Sequence, residues 1–290
     1  MHPVAIAELQ IAAVAAHNSG SRPPSSERAT MPAAVRLTIP DLAGKAVLIT
    51  GASTGIGAAV AKALGMQGAR IAVHYNSSAA EAKAVAKEIN DDGGTAVLVH
   101  GDVTKPKETA RIVEDAARDL GGLDGLINNA GLLLGRMPFT EISDEHYDAV
   151  MDLNARSVFA AVRAAIPHLT KSRGFIINTS SIAARHGGGG GSVLYAAAKA
   201  FVSTVTRGLA REFVASGIRV NGVSPGIIDT RFHERYSTAE QMRTMLANVP
   251  MGRAGTPEEC VGTYLFLASN MLSGYITGQI IEVNGGQLMP

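Results

Sequence analysis

The sequence predicts an α/β protein built on one doubly wound parallel sheet with helices on both faces, and three observations carry that prediction. Short runs rich in β-branched residues alternate, from Asp41 onward, with alanine-rich helical stretches, which is the pattern of successive βαβ units. The first of these runs leaves through a glycine-rich turn into a helix, at the position where a doubly wound sheet receives its ligand. The chain has 290 residues, enough for one large domain with a sizeable core, and nothing after Asp41 requires a second one.

Taken in order, strands are expected at residues 46–50, 70–74, 96–100, 125–128, 175–179, 219–223 and 279–283. Helices are expected at 57–66, 79–91, 106–120, 144–171, 193–216 and 257–268. Seven strands joined by crossover helices give a seven-stranded parallel sheet covered on both faces. Residues 231–254 break the pattern with mixed polarity, several methionines and no strand, and an insertion after the sixth strand is a natural substrate lid. Residues 1–40 also stand apart. Gly20-Ser21-Arg22-Pro23-Pro24-Ser25-Ser26 reads as a flexible break, residues 5–17 could form a short helix, and Glu8 interrupts the apolar stretch that a targeting peptide needs. A loosely ordered extension is expected there, with the α/β domain at 41–290.

Composition narrows the function. A formal charge of +1 with 18% charged residues gives no electrostatic case for a nucleic-acid partner. No apolar run reaches the roughly 18–20 residues that span a bilayer, so no membrane partner is expected. Cys260 is the only cysteine, which excludes an internal disulfide and suits a reducing, cytoplasmic setting. Eight scattered histidines form no metal motif, so no metal site is expected.

The run Thr50-Gly51-Ala52-Ser53-Thr54-Gly55-Ile56-Gly57 joins the first strand to the first helix. Glycines let backbone amides approach a pyrophosphate, and the positive end of the helix favours its charge. The spacing is Gly-x3-Gly-x-Gly rather than the general Gly-x-Gly-x2-Gly fingerprint, and alone it could be a structural turn. Further along, Tyr195 and Lys199 lie four apart at a helix start and so share a face. An ordinary phenol, with a pKa near ~10, is a slow acid/base at neutral pH. A nearby ammonium is expected to lower that value and speed proton exchange with a substrate oxygen.

Thr50-Gly-x3-Gly-x-Gly57, Asn128-Asn129-Ala130-Gly131, Tyr195-x3-Lys199 and Pro225-Gly226, in that order, resemble the short-chain dehydrogenases/reductases of the conventional, unextended type. The likeness runs from about Leu42 to Gly286. Within the family it is similar to the 3-oxoacyl-acyl-carrier-protein reductases and to glucose dehydrogenase-like members. The resemblance implies a Rossmann domain that binds a nicotinamide cofactor and exchanges a carbonyl for an alcohol by hydride transfer, with Tyr195 as general acid/base. It also implies that Lys199 holds the nicotinamide ribose and that Ser181, fourteen residues before Tyr195, polarises the carbonyl oxygen. Asn154, otherwise an exposed polar interruption of an apolar helix, is implied to support a proton relay from Lys199. Ser180 is the structural neighbour of Ser181, and the glycines 187–191 are expected to loosen the loop between Ser181 and Tyr195.

For the cofactor, Gly51, Ser53, Thr54, Gly55, Ile56 and Gly57 form the pyrophosphate turn. Strand two ends in His74-Tyr75-Asn76-Ser77-Ser78 with no carboxylate to bind a ribose and repel a 2′-phosphate, so Tyr75, Asn76 and Ser77 favour NADP(H) over NAD(H). Against this, the glycine turn carries Ser53 and Thr54 where many NADP users of the family carry Arg or Lys. Asp102 and Val103 resemble the adenine-contacting pair, although Asp102 could instead cap the next helix. Ala130 and Gly131 would lie against the adenosine half, while Asn128 either contacts it or ties strands together. Pro225, Gly226, Ile228 and Thr230 are implied to meet the nicotinamide carboxamide.

The expected substrate is a small ketone, secondary alcohol, polyol or sugar. Reduction of a 3-oxoacyl carrier protein is the alternative, weakened because Ser172, with Arg173 adjacent, and Ser216 stand where carrier-binding basic residues would be. A cofactor-bound sensor without turnover is the rival of another class, and the intact Tyr195/Lys199 pair argues against it. The resemblance further implies a homo-oligomer, tetramer or dimer.

Overall fold

A computed structural model describes residues 38–289. The N-terminal extension expected over residues 1–40, and the helix within it, fall outside the described residues apart from Thr38, Ile39 and Pro40.

The sheet forms as the alternation demands. Its strands are β1 (Ala46–Ile49), β2 (Arg70–Tyr75), β3 (Thr95–His100), β4 (Gly125–Asn128), β5 (Phe175–Thr179), β6 (Arg219–Pro225) and β7 (Ile280–Val283). All pair in parallel, in the order β3-β2-β1-β4-β5-β6-β7. Successive residues of a strand face opposite sides, so β1 feeds two cores. Val47 and Ile49 pack with helices α1 (Gly55–Met66) and α2 (Ala79–Asp91), through Leu64 and Ile89. Ala46 and Leu48 pack on the other side with α3 (Pro106–Leu120), through Ile112 and Leu120. Order reverses between β1 and β4, and the carboxyl ends of these two strands open the crevice where such sheets bind ligands.

The helix expected at 144–171 is not continuous. It runs as α4 (Asp144–Met151), a π-turn (Asp152–Arg156) and α5 (Ser157–Ser172). The widened turn holds Asn154 fully buried, with its Nδ2 donating to the Val150 carbonyl at 2.9 Å and to the Leu132 carbonyl at 2.9 Å. A side chain inserted into the helical ladder in this way is a recognised cause of such bulges. After β5 come the short α6 (Ala183–His186) and the long α7 (Val193–Phe213), which covers the α3 and α5 side of the sheet through Val202 and Ala210.

Residues 231–254 carry no named strand, as expected, but are largely helical: α8 (Arg231–Tyr236) and α9 (Ala239–Leu246). A reciprocal Thr238/Gln241 capping box starts α9. The last helices are α10 (Pro257–Ala268), opened by the Thr256/Glu259 box and packed beside α1, and α11 (Asn270–Ser273). Among the described residues no helix is long and apolar enough to cross a membrane, and no group of His, Cys, Asp or Glu is placed to hold a metal ion.

Candidate active site

A cleft of about 1500 Å³ lies along the carboxyl ends of the strands. Gly51, Ser53, Thr54, Gly55, Ile56, Tyr75, Asn76, Ser77, Asp102, Val103, Ala130, Gly131, Ser181, Tyr195, Lys199, Pro225, Gly226, Ile228 and Thr230 all line it. Gly57, Asn128 and Asn154 do not, and each stands behind the wall for its own reason.

The glycine turn is held by its neighbours before any ligand arrives. Gly51 and Gly55 take left-handed φ values of 63° and 56°, which glycine adopts without strain. Thr50 Oγ1 accepts from the Asn129 and Ala130 amides at 3.0 and 3.1 Å, and Asn129 Nδ2 donates to the Thr50 and Gly51 carbonyls at 3.1 and 3.0 Å. Gly57 is required by this packing: a Cβ there would lie 2.4 Å from both the Gly51 carbonyl oxygen and Asn129 Nδ2. Thr54, the N-cap of α1, makes no side-chain cap bond and no acid sits in the first turn, whereas Thr256 caps α10. The first amides of α1 therefore have no intrahelical partner where Gly55 and Ile56 face the cleft, a donor set that fits a pyrophosphate.

His74, which the sequence reading passed over as a strand residue, is part of this turn. Its Nδ1 accepts from the Gly51 amide at 3.0 Å and its Nε2 faces the Gly101 carbonyl at 3.0 Å. An amide on one ring nitrogen and a carbonyl on the other fix the neutral tautomer with its proton on Nε2. Burial, the larger influence, holds the His74 pKa down at about 4 against the raising effect of the Gly101 carbonyl. A buried histidine directly before the cleft-facing end of β2 was the available signal, but only the three-dimensional pairing gives it meaning.

Asn128 resolves as a strand tie. It is buried, donates to Asn178 Oδ1 at 2.8 Å, and Asn178 in turn donates to Thr206 Oγ1 at 2.9 Å, linking β4, β5 and α7. Asp102 does not cap α3, whose N-cap is Lys105. It accepts from the Thr104 amide and hydroxyl at 2.9 and 2.7 Å; burial alone would raise its pKa, but these bonds bring it below the usual carboxylate range. Thr230 lies against Gly55, where a Cβ would come within 3.3 Å of its methyl, so the segment after β6 meets the glycine turn across the cleft.

Around Tyr195 the geometry is dense. Ser181 is close enough to the Tyr195 hydroxyl to favour its ionised form, and Lys199 Nζ, buried, donates to the Thr179 carbonyl at 2.8 Å and lies 5.8 Å from the Tyr195 ring centre. Ser180 is turned inward, bonded to Ser203 Oγ at 2.7 Å and to the Lys199 carbonyl at 3.0 Å, so it anchors the strand end to α7. A Cβ on Gly131 would sit 2.8 Å from Asn154 Oδ1 and 3.0 Å from Lys199 Nζ, which shows how closely these groups converge. Asn154 is thus not the exposed polar interruption that its helix pattern suggests.

The expected lowering of the tyrosine pKa is not what these surroundings produce. Burial, the larger effect, pushes Tyr195 up to about 12, and Ser181 only partly opposes this. Burial also brings Lys199 down to about 8, so the ammonium is itself desolvated. At neutral pH the phenol carries its proton. The glycine loop is also tighter than expected, because Gly189, Gly190 and Gly191 give their carbonyls to Arg136 and Met137. Phe232 of α8, another residue the sequence did not single out, packs on Tyr195 with ring centres 5.7 Å apart.

Comparison with known proteins agrees with this geometry. A family model described as enoyl-(acyl carrier protein) reductase matches residues 51–287. A 3-oxoacyl-[acyl-carrier-protein] reductase of Synechocystis sp. is 38% identical, over 86% of this chain and 98% of that protein. The crystal structure of an NADH-dependent reductase responsible for alginate metabolism is 41% identical with a TM-score of 0.81, covering 87% of this chain and all of that one, and it is also known in complex with NAD. A short chain dehydrogenase from Burkholderia cenocepacia in complex with NADP is 33% identical, with a TM-score of 0.80 over 85% of this chain and 99% of that one.

Proposed function

The chain belongs to the short-chain dehydrogenase/reductase family, and from that premise we propose that it reduces a small ketone or aldehyde to the alcohol, or oxidises a secondary alcohol, polyol or sugar in reverse, with Tyr195 as the acid/base. It is an oxidoreductase that uses a nicotinamide cofactor. A reduced nicotinamide held by the glycine turn and Lys199 would supply hydride chemistry at a carbonyl carbon.

This chain's own residues do the rest. Ser181 and Tyr195 hydroxyls hold the carbonyl oxygen, and the proton on Tyr195 passes to that oxygen as negative charge develops. A phenol pushed up to about 12 is in the protonated form that reduction needs. Lys199, bonded to the Thr179 carbonyl, would hold the cofactor's ribose. Asn154 shapes the corner behind Lys199 through Leu132 and is the proposed support of a proton path to solvent. Helices α8 and α9, which put Phe232, Thr244 and Met245 on the cleft wall, are the substrate lid in this reading. In this reading the cofactor is bound by Gly51, Ser53, Thr54, Gly55, Ile56, Tyr75, Asn76, Ser77, Asp102, Val103, Ala130, Gly131, Pro225, Gly226, Ile228 and Thr230 beside Tyr195 and Lys199, with Gly57 and Asn128 acting from behind. Reduction of a 3-oxoacyl carrier protein stands as the second reading, favoured by the Synechocystis relative.

NADP(H) is preferred over NAD(H) in this reading. Asn76 and Ser77 line the cleft at the end of β2 without a carboxylate among them, and Glu81 in the first turn of α2 is paired with Arg231 at 2.7 Å. A homo-oligomer, dimer or tetramer, is supported by Phe159 on α5 and Phe201 on α7, both exposed on outer helix faces. The lone, buried Cys260 fits a cytoplasmic enzyme.

The observation that carries the proposal is Ser181, Tyr195 and Lys199 on the wall of the same cleft that the uncapped start of α1 faces. The test is a panel of ketones, aldehydes and alcohols followed at the reduced-nicotinamide absorbance, with Tyr195→Phe beside the wild type. Turnover should fall by about 10²–10⁴-fold in the variant while cofactor affinity holds. A cofactor-binding wild type that turns over nothing across a broad panel would revive the sensor reading.

A further inference from the structure

Three segments far apart in sequence meet at one end of the cleft: the loop after β4, the glycine-rich turn between α6 and α7, and the stretch joining α8 to α9. Arg136 stands at their junction and lines the cleft itself. Its Nε donates to the Tyr236 carbonyl at 2.9 Å, its Nη1 to the Gly189 and Gly190 carbonyls at 2.9 and 3.2 Å, and its Nη2 reaches Ser237 Oγ at 3.4 Å. Next to it the Met137 amide donates to the Gly191 carbonyl at 2.9 Å. These acceptors are all neutral, so the guanidinium acts here through the shape of its donor fork rather than through a carboxylate partner.

The glycine turn is made for this fastening. Gly190 and Gly191 take φ values of 50° and 78°, and a Cβ on Gly191 would lie 2.7 Å from the Met137 nitrogen. Side chains at these positions would push the carbonyls away from Arg136. On the far side, Tyr236 meets Phe232 edge to face at 5.5 Å, and Phe232 rests on Tyr195. One guanidinium therefore fixes both the turn that leads into the Tyr195 helix and the helix that covers the Tyr195 ring.

We infer that Arg136 is a positioning residue for the substrate: its fork locks α8 to the glycine-rich turn, so that carbonyl compounds bind against a preset wall beside Tyr195. The inference rests on the carbonyl-reduction reading above. A lysine cannot reproduce it, because an ammonium donates from a single point and cannot span acceptors on both segments as a planar fork does.

The test compares Arg136→Met and Arg136→Lys with the wild type in three measurements. These are kcat and KM for butane-2,3-dione and pyridine-3-carbaldehyde, the Kd for NADPH by fluorescence, and the rate of tryptic cleavage at Arg235 and Arg243. Both variants should raise KM about tenfold, the worth of one hydrogen bond to a charged group, with a smaller change in kcat. NADPH affinity should stay within about twofold, and cleavage should quicken about fivefold or more as α8 and α9 loosen. Unchanged KM and cleavage would overturn the inference, as would wild-type behaviour of Arg136→Lys, which would make charge rather than the fork the requirement. An equal loss of NADPH affinity would also overturn it, by showing general damage to the cleft. If the wild type binds NADPH but turns over neither probe, the carbonyl reading fails for these compounds, while cleavage and NADPH affinity still decide whether Arg136 is the fastening.

Discussion

Acid should loosen the glycine turn at Gly51 through His74. The ring accepts the Gly51 amide on Nδ1, and a proton added there would set two donors against each other across a 3.0 Å contact. In the unfolded chain this histidine titrates near 6.5, whereas in the fold it is held at about 4. Between those values the unfolded state binds the extra proton, so stability falls as pH drops from about 6.5 to about 4 and levels off below. At about 1.4 kcal/mol per pH unit, the full loss is about 3 kcal/mol. Other groups of the chain also change charge as the pH falls, so the measurement is a difference: denaturant unfolding of wild type and His74→Gln from pH 7.5 to 4. The variant should be less stable at pH 7.5 by about 1–3 kcal/mol, because one buried partner of the imidazole is left unpaired. The gap should then narrow toward pH 4. NADPH affinity of the wild type should weaken over the same window, and an NMR titration of the His74 ring should show no protonation above pH 5. Parallel stability curves, or a ring titrating near 6.5, would refute the reasoning.

Gly131→Ala should cost about 1–3 kcal/mol by overpacking and lower kcat more than it raises the NADPH Kd, because the new methyl displaces Asn154 or Lys199; unfolding and steady-state kinetics check both. Gly57→Ala, with its Cβ 2.4 Å from the Gly51 carbonyl oxygen, should instead raise the Kd for both cofactors, read by fluorescence titration. Asn76→Asp should shift the ratio of kcat/KM from NADPH toward NADH by about tenfold or more, by placing a carboxylate where the 2′-phosphate would sit; a wild type that already prefers NADH would sink the cofactor preference. Lys199 is held at about 8 by burial, so wild-type stability should rise relative to Lys199→Met as pH climbs from about 8 to about 10.5, the window in which only the unfolded lysine keeps its proton.

Much of this protein was legible in one dimension because its signals are local. The alternation of apolar strands and alanine-rich helices follows from the two periodicities of the backbone, and six of the seven expected strands end within one residue of expectation at both ends, while β6 extends two further, to Ser224 and Pro225, through its pairing with β7. Gly51, Gly55, Tyr195 and Lys199 announce themselves by spacing, since a tight turn and a helix face are short-range geometry. What the sequence could not supply depends on groups that meet across the fold. Asn154 reads as a polar flaw in a helix until Leu132 arrives to take its amide and the helix widens into a π-turn. The Tyr195 pKa reads as lowered by a neighbouring lysine, yet burial governs both groups once α7 packs on the sheet. His74 and Arg136 carry no motif at all; their roles exist only because Gly51, Gly101, Gly189 and Tyr236 come to them from distant segments. The sequence by itself determined the glycine turn and the Tyr195/Lys199 pair, because turn and helix chemistry are local, and tertiary structure decided desolvation and the shape of the cleft wall beside Tyr195, because both are sums over neighbours that the chain order does not reveal.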